Sequence, residues 1–286
     1  MLFCKNDDNP NFVFRQVFFY YLRKKMKRFG IYIIICVFLI FAVTPFAKTD
    51  AAAVKAKVVS VGEEIVYEVS FLGVKLGTIK ITTYAKESVG NKQAYKMVGN
   101  IDSYASIPFV DLHNISTGWI DPSLTFSHKF TSVTNTKGSS TVQTILYDYD
   151  KGQVTNRIYK DGNLDFSKDY KRNDKSVDGM GLFFLARRMV HSKRTIDVPT
   201  IMDKDFEVTT LKFTDKKENV TIDACSYPIR TTYFSGIADW TGIYGLTGNF
   251  EGWFSDDDAC VPIKAKMKVY VGNINIELIS WKRAGW

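Results

Sequence analysis

From Ile263 the apolar side chains fall on every second position (Ile263, Ala265, Met267, Val269, Val271), and Lys264, Lys266 and Lys268 fill the gaps. This two-residue repeat is that of a β-strand. Gly272-Asn273 supplies a turn, because glycine and asparagine tolerate the positive φ of a tight hairpin, and Ile274, Ile276 and Leu278 resume the alternation. Asp256, Asp257 and Asp258, between Trp253-Phe254 and this run, read as a polar turn between strands. One face of the hairpin is apolar and the other charged, so it lies on a core with its back to water.

The same logic repeats upstream. Ile65, Tyr67, Val69 and Phe71 share one face of a hairpin spanning Glu63 to Tyr84, with Gly73 and Gly77 bracketing its connection before Ile79 and Ile81. Further strands are predicted over 95–104, 112–120, 124–133, 141–149, 154–160 and 164–170, broken by Ile107-Pro108-Phe109, Asp121-Pro122-Ser123, Lys151-Gly152 and Asp161-Gly162. After a helical interruption, strands return over 196–198, 206–213, 219–224 and 229–234, and the glycine-rich 236–252 segment, holding Trp240 and Tyr244, reads as a loop. The interruption starts at Asp178, a candidate N-cap, and places Leu182, Leu185, Ala186 and Met189 on one stripe widened by Phe183 and Phe184, with Arg187 and Arg188 leaving it. Turn signals about every ten residues mark an antiparallel meander. Its apolar faces must meet by curling or by packing on a second sheet. The expected fold is mainly β: a strongly curved antiparallel meander, half-barrel or barrel-like, with one short helix packed in or across the concave side. An immunoglobulin-like sandwich is the alternative.

The first 53 residues are different. Lys24, Lys25, Lys27 and Arg28 precede an apolar run from Ile31 to Val43, and Ala51-Ala52-Ala53 follows. A basic region, a run too short for an ordinary membrane span and a small-residue site make a secretion signal. Met26 opens a more ordinary signal than Met1, so the expectation is an N-terminal extension plus signal over 1–53, starting at Met26 and cleaved after Ala53. Residues 54–286 then form a single curved β-domain. An uncleaved leader is the alternative. Ile35 stands where a lipoprotein signal needs a small residue before Cys36, which argues against a lipid anchor. The leader carries eight Lys/Arg and three Asp/Glu, so +5 of the net +8 belongs to it and +3 to the remainder. That near-balanced surface argues against nucleic acid as partner. Removing the leader leaves Cys225 and Cys260, a candidate disulfide in an oxidising compartment, with two buried thiols as the alternative.

Three stretches together resemble a known family. Gly62-Glu63-Glu64-Ile65-Val66-Tyr67-Glu68-Val69, followed by Gly73 and Gly77, is similar to a GE-x-L-x-Y-x-V hairpin with a G-x-x-x-G link. Asp178 to Arg188 is similar to a single aromatic and leucine helix ending in arginine. Trp253-Phe254-Ser255-Asp256-Asp257, then Pro262 and Gly272, is similar to a W-x-S-D-D … P … G ending. The chain resembles the exported bacterial domain of unknown function 3108 over about residues 60–282. The resemblance implies a cell-envelope β-protein and carries over no catalytic residue. Gly179 and Gly181 at the helix start depart from it and should fray the first turn.

Candidate chemistry is sparse. The acidic triplet, with Asp239 and Glu251, lacks the alternate ligand spacing of a calcium loop, and His113, His128 and His191 lack ligand-like spacing, so no metal or other cofactor is expected. No G-x-S-x-G elbow orients a nucleophile, and no enzyme activity is expected. The aromatic load is the more informative feature. Tyr67, Phe71, Phe183, Phe184, Trp253 and Phe254 are the candidate lining of an apolar cavity inside the curled sheet. The expected function is an exported, periplasmic, non-enzymatic protein that binds or carries a lipid or other amphiphile of the envelope. It touches a membrane only through an uncleaved leader or peripherally. The alternatives are an envelope interaction module with a protein partner, and a hydrolase.

Overall fold

The computed structural model of the chain describes residues 58–107, 111–238, 248–269 and 272–285. The N-terminal extension and signal, with Met26, Cys36 and Ala53, lie outside the described residues, as do Pro108, Phe109, Trp240 and Tyr244.

The alternating pattern becomes fourteen strands: β1 Glu64–Phe71, β2 Val74–Val89, β3 Lys92–Ser103, β4 Leu112–Ile120, β5 Ser127–Thr136, β6 Ser139–Asp148, β7 Gln153–Lys160, β8 Asn163–Lys171, β9 Thr195–Met202, β10 Asp205–Ile222, β11 Cys225–Ala238, β12 Gly248–Ser255, β13 Pro262–Lys268 and β14 Asn273–Lys282. One α-helix, α1 Gly179–Met189, separates β8 from β9. All the strands belong to one sheet, ordered β8-β7-β6-β5-β4-β3-β2-β1-β14-β13-β12-β11-β10-β9. Neighbours are antiparallel throughout. The expected meander is therefore two meanders joined back to back. β1 to β8 run outward from the middle to one edge, α1 carries the chain to the other edge, and β9 to β14 return until β14 pairs with β1 from Glu64↔Lys282 to Phe71↔Ile274. A single continuous sheet replaces the sandwich alternative.

Local chemistry accounts for the turns. Asp161-Gly162, at φ 50° and 82°, makes the two-residue turn between β7 and β8 that its sequence predicts. β10 joins two predicted strands into one. Asp215 sits at φ 60° in an irregularity between Phe213 and Lys217, and Lys193 and Lys217 hold its carboxylate at 3.0 and 2.9 Å. The strand bends there and resumes pairing. Part of the predicted 236–252 loop is strand β12, which pairs with β11 from Thr231↔Ser255 to Ala238↔Gly248.

The edge strands β8 and β9 do not form a ladder with each other. Side chains and one short stretch of backbone draw the two sides together instead. The Asp203 carbonyl accepts from Asn156 Nδ2 (2.8 Å) and Gln143 Nε2 (2.6 Å), Tyr170 donates to the Lys204 carbonyl, and Lys168 pairs with Asp205 at 2.8 Å. Ahead of α1, Ser127 N donates to Ser176 O (3.0 Å), and Val177 forms a parallel bridge opposite Thr200, its N donating to Pro199 O (3.0 Å) and its O accepting from Ile201 N (2.9 Å). Residues 176 and 177 thus splice β5 to β9, making the sheet barrel-like without closing its ladder.

α1 fills the concave side, and none of its residues is exposed. Met180 and Phe184 enter one core cluster with Ile65, Tyr67, Met97 and Ile263, while Leu185, Ala186 and Val190 enter another with Leu211, Phe213, Phe234 and Phe254. Complete burial of Phe184 alone is worth about 1.5–3 kcal/mol. Asp178 caps the helix, its Oδ1 accepting from Gly181 N at 2.9 Å. The two glycines do not fray this end. A Cβ on Gly181 would stand 2.6 Å from Ser127 Oγ and 3.0 Å from Val177 Cβ, so glycine is what lets the first turn lie against the splice.

Arg187 corrects the helical-stripe expectation. It leaves the apolar stripe but not the core, and it is fully buried. Its guanidinium donates to Glu63 Oε2 (2.8 Å) and Oε1 (3.0 Å), to Ala259 O (2.9 Å) and to Cys260 O (3.3 Å). Trp281 Nε1 adds a bond to Glu63 Oε1 at 3.0 Å. Bidentate geometry and filled acceptors are what allow such a pair inside a protein.

Candidate functional site

Period-two alternation decides which predicted aromatics reach the concave side. Adjacent residues of a strand point to opposite faces, so Trp253 and Phe254 cannot both face in. Phe254 does, 4.8 Å centroid to centroid from Phe234. Trp253 faces out, stacked edge-on against Tyr233 at 5.6 Å, donating to Glu218 Oε2 at 2.6 Å, with Lys266 over its ring. Phe71 ends β1 at the hairpin turn and lines neither cavity described below, and Phe184 is consumed by the core. Tyr67, Phe183 and Phe254 are the candidates brought together.

These three line a cavity of about 230 Å³ beside α1, with Leu182, Leu211 and Ile276. Phe183 packs edge-on against Tyr67 (6.4 Å) and Phe184 (5.2 Å). The Tyr67 hydroxyl is buried without a hydrogen-bond partner, and burial pushes its pKa far up. A second cavity, of about 570 Å³, opens on the other side of Phe183. The two share Ile79, Ile81, Gly179 and Phe183. Both lie against the one helix and the strands it covers.

The second cavity was not legible in the aromatic pattern, because one side of its wall is polar. Asn114 and Ser116 on β4, Ser132 and Thr134 on β5, and Thr141 and Gln143 on β6 line it. The apolar residues between them point outward. Ile115, Val133, Val142, Tyr159 and Leu164 pair directly across β4 to β8 on the convex face and are 36–57% exposed. Over the stretch from Asn114 to Gln143 that lines the cavity the usual apolar-in, polar-out order is inverted, while Ile120, Ile145, Tyr147, Val154 and Ile158 of the same strands stay buried. The available signal was polarity on both sides of the alternation in His113-Asn114-Ile115-Ser116-Thr117.

The titratable groups nearby serve structure. Asp178 is buried, its Oδ2 has no hydrogen-bond partner, and burial raises its pKa to about 6. Cys260 Sγ, His191 Nε2 and Asp215 form a line at 3.5 Å and, from His191 Nδ1 to Asp215 Oδ1, 3.9 Å. The sequence of groups resembles a nucleophile, base and orienting acid. Burial nevertheless pushes the Cys260 thiol up to about 12, its Sγ bonds the Asp257 carbonyl at 3.2 Å, and it lines neither cavity. The thiolate that such chemistry needs is suppressed. His113 pairs with Asp102 at 2.8 Å and His128 with Asp121 at 3.2 Å. Cys225 and Cys260 are free thiols, which corrects the candidate disulfide. Cys225 packs in the cluster of Val220 and Ile222 at the β10–β11 turn, whereas Cys260 packs with Phe254 and Leu185.

The acidic turn has a task that its sequence did not announce. Asp257 Oδ1 accepts from Ser255 Oγ (2.9 Å), Ala259 N (2.9 Å) and Cys260 N (3.1 Å). This holds the loop so that the carbonyls of Ala259 and Cys260 reach Arg187. Asp256 pairs with Lys217 (2.6 Å) and Arg230 (2.8 Å). The three stretches that carry the family resemblance therefore meet at one place: Glu63, Arg187 and the Asp257 loop.

Comparison with known proteins agrees with this architecture. A family model described as "Protein of unknown function (DUF3108)" matches residues 66–279. No curated protein matches. Among solved structures, the crystal structure of a β-barrel-like protein of domain of unknown function DUF1849 from Brucella abortus is similar, with a TM-score of 0.54 at 8% identity. The alignment covers 79% of this chain and 98% of that one. At that identity the likeness speaks for the fold alone.

Proposed function

The chain belongs to the DUF3108 family of proteins of unknown function, and from that premise we propose that it is an exported, non-enzymatic protein of the cell envelope that binds or carries an apolar or amphiphilic molecule on the concave side of its sheet. The observation that carries this reading is the pair of cavities either side of Phe183, about 570 and 230 Å³, sharing four lining residues along α1. The larger falls within the roughly 300–1,000 Å³ typical of small-molecule sites. Export to the periplasm is supported by the basic region and apolar run of the leader. A non-enzymatic role is supported by the suppressed Cys260 thiol at the head of the Cys260–His191–Asp215 line.

Native mass spectrometry of protein purified from its own host tests the reading. A bound amphiphile released by organic solvent is expected; a protein of bare chain mass whose cavities also stay empty on exposure to host lipid extract would overturn it. One observation favours a second reading, an interaction module of the envelope: the exposed apolar row from Ile115 to Leu164. Crosslinking in intact cells separates the two, since a carrier yields lipid adducts and a module yields protein adducts.

A further inference from the structure

If the protein is the carrier proposed above, the polarity of its larger cavity restricts the chemistry of what it can hold. Among the described residues, no Lys, Arg or His lines this cavity. Its one ionisable lining residue, Asp203, is an acid and offers an anion no counter-charge. An anionic head entering here would be stripped of water with no counter-ion, which is strongly unfavourable. A bare hydrocarbon fits no better on the β4–β6 side, where it would leave hydroxyls and amides dry.

The hydrogen bonds of that wall show what it still offers. Asn114 Nδ2 donates to both Ser132 Oγ and Thr134 Oγ1 at 2.7 Å, and Asn114 Oδ1 accepts from Ser116 Oγ at 2.7 Å. The amide is thereby committed. Thr134 Oγ1 accepts, so its own proton is left for a ligand oxygen. Among the described residues, the Ser132 hydroxyl has, besides the bond from Asn114, only the 3.3 Å contact with Ser116. The wall is a row of neutral donors and acceptors fixed by a neighbouring amide. Ile79, Ile81, Met180 and Phe183 line the same cavity with apolar surface, and Phe183 also lines the smaller apolar cavity.

We propose that this site takes an amphiphile with an uncharged, oxygen-rich head, a glycosyl or polyol group, seated on the Asn114–Ser132–Thr134 wall, with its acyl or alkyl tail running along α1 past Phe183. Neutral hydroxyls satisfy the wall without bringing in a charge, and the tail covers the apolar side.

Binding of three amphiphiles of equal chain length to the whole purified protein tests this: dodecyl maltoside, dodecyl phosphate and dodecanol, each below its micellar concentration, by isothermal titration calorimetry. The expected result is that dodecyl maltoside binds at least about tenfold tighter than dodecyl phosphate, the equivalent of one or two well-made hydrogen bonds. In the variant carrying Thr134→Val and Thr141→Val, maltoside binding should fall about tenfold while dodecanol binding is unchanged. Ser132→Ala gives the same comparison if the double variant does not fold. Dodecyl phosphate binding as tightly as the maltoside, or a maltoside affinity indifferent to these variants, overturns the inference and leaves the carrier reading standing. Binding of none of the three removes both.

Discussion

Arg187 of the helix and Glu63, just ahead of the first strand, form a fork-to-fork ion pair with bonds of 2.8 and 3.0 Å, and both side chains are shut off from solvent. Every other donor of the guanidinium that finds a protein acceptor finds it in the loop after β12. The pair ties together the beginning of the sheet, the helix inside it and the acidic turn near its end. A buried pair of this kind gains little over a well-packed apolar replacement, but losing Glu63 strands the charge of Arg187, and losing Arg187 leaves Glu63 with Trp281 and the longer 3.8 Å contact to Arg283.

Arg187→Ala or Glu63→Ala is therefore expected to cost about 3–5 kcal/mol of unfolding free energy. Replacing both together with alanine should cost clearly less than the two single losses added. Urea denaturation of the four proteins provides the cycle, and strict additivity would show that the two residues do not act as a pair.

Asp178 gives a pH dependence whose sign is fixed. Its carboxyl titrates at about 6 in the folded chain and at its ordinary 3.8 when unfolded. A raised value means that the folded state favours the protonated form. The stabilising contribution is thus complete below about pH 4 and is lost as the pH climbs through about 6. Asp178→Asn keeps a good N-cap without the charge. It should be more stable than the parent at pH 7 by on the order of 2–3 kcal/mol, with the gap closing towards pH 4. Denaturation midpoints compared at the two pH values decide; a gap that does not widen with pH would contradict the buried charge.

The two helix-start glycines should respond oppositely to the same substitution. A Cβ on Gly179 meets only Met202 at 3.5 Å, so Gly179→Ala is expected to stabilise by up to about 1 kcal/mol through helix propensity. Gly181→Ala drives its methyl into Ser127 and Val177 and should destabilise by about 1–3 kcal/mol. Thermal unfolding of the two single variants is sufficient, and equal effects would place the crowding elsewhere.

Free thiols at Cys225 and Cys260 should differ in reactivity. Cys225 is half-buried, and Cys260 is buried with its pKa pushed up to about 12. A thiol reagent at mildly alkaline pH should modify Cys225 first and reach Cys260 only on the timescale of unfolding. Peptide mapping after timed quenching reads this directly. Recovery of a linked 225–260 peptide from native protein would overturn the assignment.

How much of this was readable in the chain depends on the kind of signal. The β13–β14 and β7–β8 hairpins were, because alternation and a glycine turn are local. So were Asp178 as cap and α1 as a helix inside a curved sheet. The pairing of β1 with β14 was not, since nothing in either strand names a partner more than two hundred residues away. Arg187 was set off the stripe by helical spacing alone, and spacing does not reveal that Glu63 waits for it. Composition puts both Trp253 and Phe254 in the lining, whereas alternation lets only one of them face in and does not say which. Strands β4 to β7 defeated the reading for a physical reason: the rule that apolar residues face inward fails where the interior keeps a polar wall.

The placement of β1 and β14 side by side also sets a timetable. β1, the earliest strand of the sheet, has one of its two ladders supplied by β14, the latest, so the middle of the sheet cannot zip until β14 has been made. Contacts of such long sequence separation make for slow folding. A chain interrupted before Asn273 would leave β1 and β13 as two raw edges facing each other, each able to recruit a stray strand from another molecule.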